Sequence, residues 1–148
     1  MPKIDISAIA ERVGTGYPAP YDVPCRERAL RRLGDAAGLT QFGVNLVRLP
    51  PGTWSSQRHW HALEDELIYV LDGELTLVTD GSEQLLRGGD CAGFKAGVRD
   101  GHHLQNRSPR DASFLVVGTR NQEDWGEYSD IDMTFSDKGY RYKDGKPY

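Results

Sequence analysis

All four histidines of this 148-residue chain fall in two short windows, His59 with His61 and His102 with His103. Residues two apart in a β-strand share a face. His59 and His61 can therefore reach one ion together, and Gln57 points the same way, toward a bound water or substrate. Glu66 lies just past a short loop, where the chain can return on a neighbouring strand. Two imidazoles and a carboxylate make a competent set for Fe, Mn, Ni, Zn or Cu. One histidine of the second pair would complete it. Three His and one Glu leave about two positions open on a five- or six-coordinate ion, whereas structural zinc sites are closed and usually built on cysteine. An ion held this way polarises a carbonyl or acidifies a bound water. The catalytic candidates are Gln57 and Glu66, while Glu64 and Asp65 flank the ligand carboxylate as exposed loop charges.

Such a set needs a rigid frame. Seventeen glycines and eight prolines punctuate the sequence at short intervals, the pattern of many short strands. Phe42 to Leu49 reads as a strand ended by Pro50-Pro51-Gly52. Glu66 to Leu71 and Glu74 to Thr79 follow, the latter alternating in period two. Asp72-Gly73 and Asp80-Gly81 are turns of the hairpin-favouring kind. Gln84 to Arg87, residues 91–95, residues 103–107 and Ala112 to Val117 read as further strands. At least seven strands separated by Gly-rich turns predict an all-β jelly-roll barrel or sandwich. Tyr69, three past Glu66, falls on the outer face, and Trp54 and Trp60 are packing residues. Residues 1–40 form an N-terminal extension, irregular through residue 24, with a short helix predicted over residues 26–33 and ending at Gly34. The barrel spans residues 41–118. Residues 119–148 form an irregular polar and aromatic arm packing on it, with a hairpin at Asp144-Gly145.

The two histidine windows resemble the two motifs of the cupin superfamily. Gly52, His59, His61, Glu66 and Gly73 follow the first motif with spacers of six, one, four and six residues, the first spacer being one longer than the usual pattern. Gly89, Gly97, His102 and Asn106 follow the second. Lys95 stands where proline is usual, and four residues instead of two separate Gly97 from His102. His102 lies four before Asn106, as the motif asks, and shares a strand face with Leu104 and Asn106; His103 lies three before it. The resemblance covers residues 41–118, most specifically Gly52 to Asn106. It implies a cupin jelly-roll barrel with one divalent transition metal (Fe, Mn, Ni or Zn) on His59, His61, Glu66 and His102, leaving His103 as a supporting or surface residue. The likeness is to small single-domain bacterial cupins with a Cupin_2-like conserved barrel. The tail from Lys143 to Tyr148 resembles a subgroup labelled sugar-phosphate-isomerase-like. The implied function is a small metalloenzyme of oxygenase, isomerase or lyase type, acting on a small polar or acidic molecule. The alternatives are a non-catalytic metal or small-ligand sensor or accessory protein, and a sugar-phosphate-isomerase-like enzyme.

Composition narrows the partners. Hydrophobic residues are 38%, charged residues 27% and the net charge is -4, with no basic stripe of the kind that grips nucleic acid. No apolar run approaches the roughly 20 residues that span a bilayer, and the first residues lack the apolar core of a secretory signal. The two cysteines, Cys25 and Cys91, stand far apart without a CxxC. They are expected to be buried thiols in a reducing cytoplasm. A homodimer is expected, since pairing hides edge strands.

Overall fold

The computed structural model describes residues 2–148. The first strands are β1 (Arg12–Val13) and β2 (Ala29–Arg32), followed by one helical turn, α1 (Leu33–Ala36). Then come β3 (Phe42–Leu49), β4 (His59–His61), β5 (Glu66–Asp72), β6 (Glu74–Val78), β7 (Glu83–Arg87) and β8 (Cys91–Phe94). The chain ends with β9 (His103–Gln105), β10 (Ala112–Thr119), β11 (Gly126–Tyr128), β12 (Thr134–Ser136) and β13 (Gly139–Arg141). All pairings are antiparallel. The strands form a six-stranded sheet (β1-β2-β3-β10-β5-β8), a three-stranded sheet (β7-β6-β9) and a four-stranded sheet (β13-β12-β11-β4). The fold is an all-β jelly roll, as the strand pattern predicts.

The core draws on the first two sheets. Val47 and Leu49 of β3, Ile68 and Val70 of β5 and Phe114 of β10 meet Leu75 and Leu77 of β6, Leu86 of β7 and Leu104 of β9. Period-two alternation sorts β5: Ile68 and Val70 are buried, while Leu67, Tyr69 and Leu71 stand 43–44% exposed on the outer face. The same parity turns Glu66 inward with Ile68. Gly73 joins β5 to β6 with φ +82°, and a Cβ there would lie 2.8 Å from Ala112. Its place in the first motif is thus fixed by both a left-handed backbone and a close approach.

Three expectations are corrected. The helix over residues 26–33 does not form. Ala29–Arg32 is the strand β2, paired with β3 from Ala29↔Arg48 to Arg32↔Asn45, and Leu30 packs on the core. Strand pairing and burial override the helix propensity of Arg and Leu, and α-helix among the described residues is confined to the turn α1, which includes Gly34. The arm is more regular than expected, because β11, β12 and β13 extend a sheet from β4. Its hairpin at Asp144-Gly145 is present, with Tyr142 N–H donating to the Lys146 carbonyl at 2.8 Å. Finally, Cys25 is buried but Cys91 is exposed, because β8 pairs it with Tyr69 on the outer face of the sheet. Among the described residues no helix is long and apolar enough to cross a membrane.

Candidate metal centre

β4 carries His59 and His61 on one face and Trp60 on the other. It is held from both sides. β11 pairs with it through Gly126↔His61, Glu127↔Trp60 and Tyr128↔His59. On the opposite edge, His102 N–H donates to the His59 carbonyl at 2.9 Å and His59 N–H to the His102 carbonyl at 3.3 Å. That bridge brings the two histidine windows together. Trp60 is buried against Trp125, ring centroids 5.4 Å apart, and Trp54 packs on His103 at 4.8 Å, so both tryptophans pack as expected.

One nitrogen of each β4 histidine is already committed. His59 Nδ1 lies 2.8 Å from the Gln57 carbonyl, and His61 Nδ1 lies 2.7 Å from Asp124 Oδ2. Both partners are acceptors, so each Nδ1 carries the proton and each Nε2 presents a bare lone pair. The two Nε2 atoms face each other at 3.2 Å. Two lone pairs at that distance repel unless a cation or a proton lies between them. A ligand atom from each of His59, His61 and Glu66 lies within 4.8 Å of the others. His102 lies outside that three-residue set but beside it, with Nε2 3.0 Å from Glu66 Oε1. The donor chemistry therefore fits a divalent transition ion.

His102 is oriented differently from the β4 pair. Its ring stacks on Phe94 at 3.5 Å and 1°, and its Nδ1 is buried without a partner. His103 points to the other face, as strand parity predicts. It is buried rather than at the surface, with Nδ1 2.7 Å from the Ser56 carbonyl and Nε2 3.0 Å from the Gln105 amide. Asn106 is a loop clamp. Its amide donates to the Leu49 and Arg110 carbonyls, and its oxygen accepts from Ser108. Gln57 is buried with its amide donating to the Tyr21 carbonyl at 2.9 Å; what it brings to the site is the backbone carbonyl that orients His59.

Asp124, a residue that sequence reasoning missed, is buried and holds His61 while accepting the Leu63 N–H at 2.8 Å. It lies 63 positions from His61 and belongs to no spaced motif. Glu64 Oε2 lies 3.8 Å from the same His61 nitrogen, and Asp65 ties down the loop by accepting the Ala96 N–H. Carboxylates behind a ligating histidine fix its tautomer and raise its basicity, and their loss costs about 10–100-fold in metal affinity. Asp124→Asn is expected to weaken metal binding by about that factor without unfolding the chain, as a competition titration with a chromophoric chelator would report.

Burial, then the neighbouring His61 and His102, lower the His59 pKa to about 4. Burial alone would raise Glu66, but the His102 hydrogen bond and the surrounding imidazoles outweigh it and hold the carboxyl down at about 2. Both groups make the metal-free protein acid-sensitive. The His59 contribution is complete above its ordinary value of 6.5 and is lost as pH falls from there through about 4, because the unfolded chain binds that proton first. Glu66 adds a loss between 4.5 and about 2. The His59 step amounts to about 3 kcal/mol at about 1.4 kcal/mol per unit. Urea midpoints in chelator should fall through the His59 window in the parent and much less in His59→Gln. Parallel slopes would refute this assignment.

Beside the histidines lies a cavity of about 530 Å³. Its lining mixes apolar side chains, including Ile68, Phe114, Val116 and Phe94, with Tyr17, Tyr128, Tyr140, Asn45 and Arg28. Phe135 of β12 packs edge-on to His59 and His61 at 5.7 and 5.0 Å. The N-terminal extension and the arm thus supply seven of the twenty residues that line this chamber.

Residues 45–118 match the Cupin domain family model. The chain belongs to the cupin superfamily. Among solved structures, a sugar phosphate isomerase from a cupin superfamily of Silicibacter pomeroyi is 46% identical over 99% of this chain and 96% of its own, with a TM-score of 0.94. A protein of Acidithiobacillus ferrooxidans, provisionally named for the same activity, is 29% identical over 78% of this cupin and 74% of its own chain, TM-score 0.72. A predicted oxalate decarboxylase of Thermotoga maritima, 23% identical over 80% of this chain and 99% of its own with TM-score 0.63, shares the fold. No curated protein matches.

Proposed function

We propose that this cupin is a metal-dependent enzyme acting on a small polar or acidic molecule, with sugar phosphate isomerisation as the leading activity. The observation that carries the metal half is the pair of Nε2 lone pairs facing each other at 3.2 Å beside Glu66. The likeness to the Silicibacter pomeroyi isomerase extends over nearly the whole chain, arm included, which supports the choice of reaction. His59, His61 and Glu66, with His102, would hold the ion. When bound, it would supply Lewis acidity toward a substrate carbonyl. The surrounding residues do the positioning. Phe94 and the other apolar lining residues restrict water, and the Tyr17, Tyr128 and Tyr140 hydroxyls, raised in pKa by burial, stay protonated and donate to substrate oxygens. Among the described residues Glu66 is the only carboxylate on the cavity wall, so proton transfer at a substrate carbon falls to it.

The test is a screen of sugar phosphate isomerisation and oxygen uptake in the Fe, Mn, Ni and Zn forms. Turnover of an aldose phosphate to a ketose phosphate supports the proposal. Silence in all forms together with tight binding of a metabolite would identify a sensor instead. The unpaired cysteines suit a reducing cytoplasm, where we place the enzyme. A homodimer belongs to the same proposal. Leu67, Tyr69 and Leu71 form an exposed apolar row on β5, with Leu115 and Val117 of β10 in register beside Tyr69 and Leu67. A second copy laid on this apolar row would cover it. Light scattering should give twice the 16.5 kDa of one chain, and Tyr69→Glu should return the mass to that of one chain.

A further inference from the structure

The cavity holds a charge that the metal-binding group leaves unused. Arg28 precedes β2 and lines the chamber together with Asn45, Ser55 and the tyrosines. Its Nη1 donates to the Ser55 carbonyl at 3.0 Å. Its Nε is buried with no partner, and no carboxylate pairs with the guanidinium among the described residues. It shares the lining with the Tyr140 ring, whose hydroxyl feels its charge. A buried, unmatched N–H is destabilising, and Nη2, which has no protein partner and is not among the buried atoms, is the donor that can meet an acceptor in the chamber.

Charge balance points the same way. Glu66 is the only acidic residue lining the cavity among those described. With a divalent ion on the histidines, Glu66 and the buried Asp124 carboxylate behind His61 offset its two positive charges, and Arg28 stays uncompensated. We propose that Arg28 is the seat of an oxyanion, a phosphate or carboxylate, on a small hydroxylated ligand whose other end reaches the histidine group. The planar guanidinium fork matches either anion in bidentate fashion. The tyrosine hydroxyls and Asn45 between these ends suit sugar hydroxyls. A chamber of about 530 Å³ suits a monosaccharide-sized molecule, since small-molecule sites run from about 300 to 1,000 Å³. The seat itself stands on Arg28; the placement of the ligand's other end rests on the metal reading above.

The test titrates ribose 5-phosphate, gluconate and neutral ribose calorimetrically into manganese-treated protein, with metal content measured in parallel. At least one anionic probe should bind about tenfold or more tightly than ribose, and which of the two binds identifies the anion. Arg28→Gln should weaken that probe by about 10–100-fold while leaving metal content unchanged. Losing the contact to Ser55 could unfold Arg28→Gln. Asn45→Asp therefore serves as a second variant, placing a repelling carboxylate in the chamber with Arg28 intact, and should weaken the anion by about tenfold or more. Failure of both anionic probes to bind the parent overturns the proposal. So does unchanged binding in a folded Arg28→Gln, or in Asn45→Asp where Arg28→Gln is unfolded. A parent that takes up no metal but binds an anion through Arg28 would remove the metal reading and leave the anion seat standing.

Discussion

Replacing His61 by alanine is expected to empty the metal centre while leaving the barrel folded. His61 supplies one of the two facing Nε2 atoms and lies 3.6 Å from Glu66 Oε2, so it sits between the other donors. Of the proposed ligands it also has the strongest support behind it, since Asp124 anchors its Nδ1 and Phe135 fixes its ring. Losing an outer partner costs about 10–100-fold in affinity; losing the ligand itself should cost more, enough to drop metal content from stoichiometric to a trace after dialysis. The side chain is outside the barrel core, so circular dichroism should be unchanged. His103→Ala makes the contrast. That residue is as buried as His102 but faces Trp54 and Gln105, so its loss should cost stability and leave metal content near that of the parent. Stoichiometric metal in His61→Ala, or loss of metal in His103→Ala, would sink the assignment of donors.

How much of this was legible in the sequence depends on the range over which each signal acts. His59, His61 and Glu66 come together because strand parity is local, and parity also separates His102 from His103. The barrel strands from Phe42 onward declare themselves by alternation and by turns such as Asp72-Gly73. Residues 26–33 mislead for the opposite reason. Arg28 to Leu33 carries good helix formers, and the choice of strand is made by β3, which lies more than ten positions away and supplies the hydrogen bonds. The support behind the ligands is equally non-local. Asp124 and Phe135 belong to a tail whose period is too short to announce strands of three residues, and neither stands at a motif spacing. Gln57 shows the limit of parity: its position relative to the histidines is as expected, yet a carbonyl of the N-terminal extension takes up its amide.

Gly126→Ala is expected to be the most damaging single-methyl change at the site, because the tail's sheet is the clamp on β4. Gly126 pairs with His61 on one side and Phe135 on the other. A Cβ there would stand 1.9 Å from the Trp60 carbonyl oxygen and 2.6 Å from the Phe135 ring. The ring can turn only by leaving its contacts with both β4 histidines, and the carbonyl is backbone that can move only with the strand. Either β11 separates from β4 or β4 shifts with its two ligands. Overpacking a tight site typically costs about 1–3 kcal/mol, and a backbone collision belongs at the upper end. Metal sites tolerate about 0.5 Å of displacement, so affinity should fall together with stability. Gly81→Ala is the matching control, since a Cβ at Gly81 meets nothing within 4 Å, and its change should stay within about 0.5 kcal/mol. Urea unfolding and metal content measured on both variants decide the matter. If Gly126→Ala matches Gly81→Ala in both, the tail is not the clamp, and β4 must owe its position to the His59–His102 bridge alone.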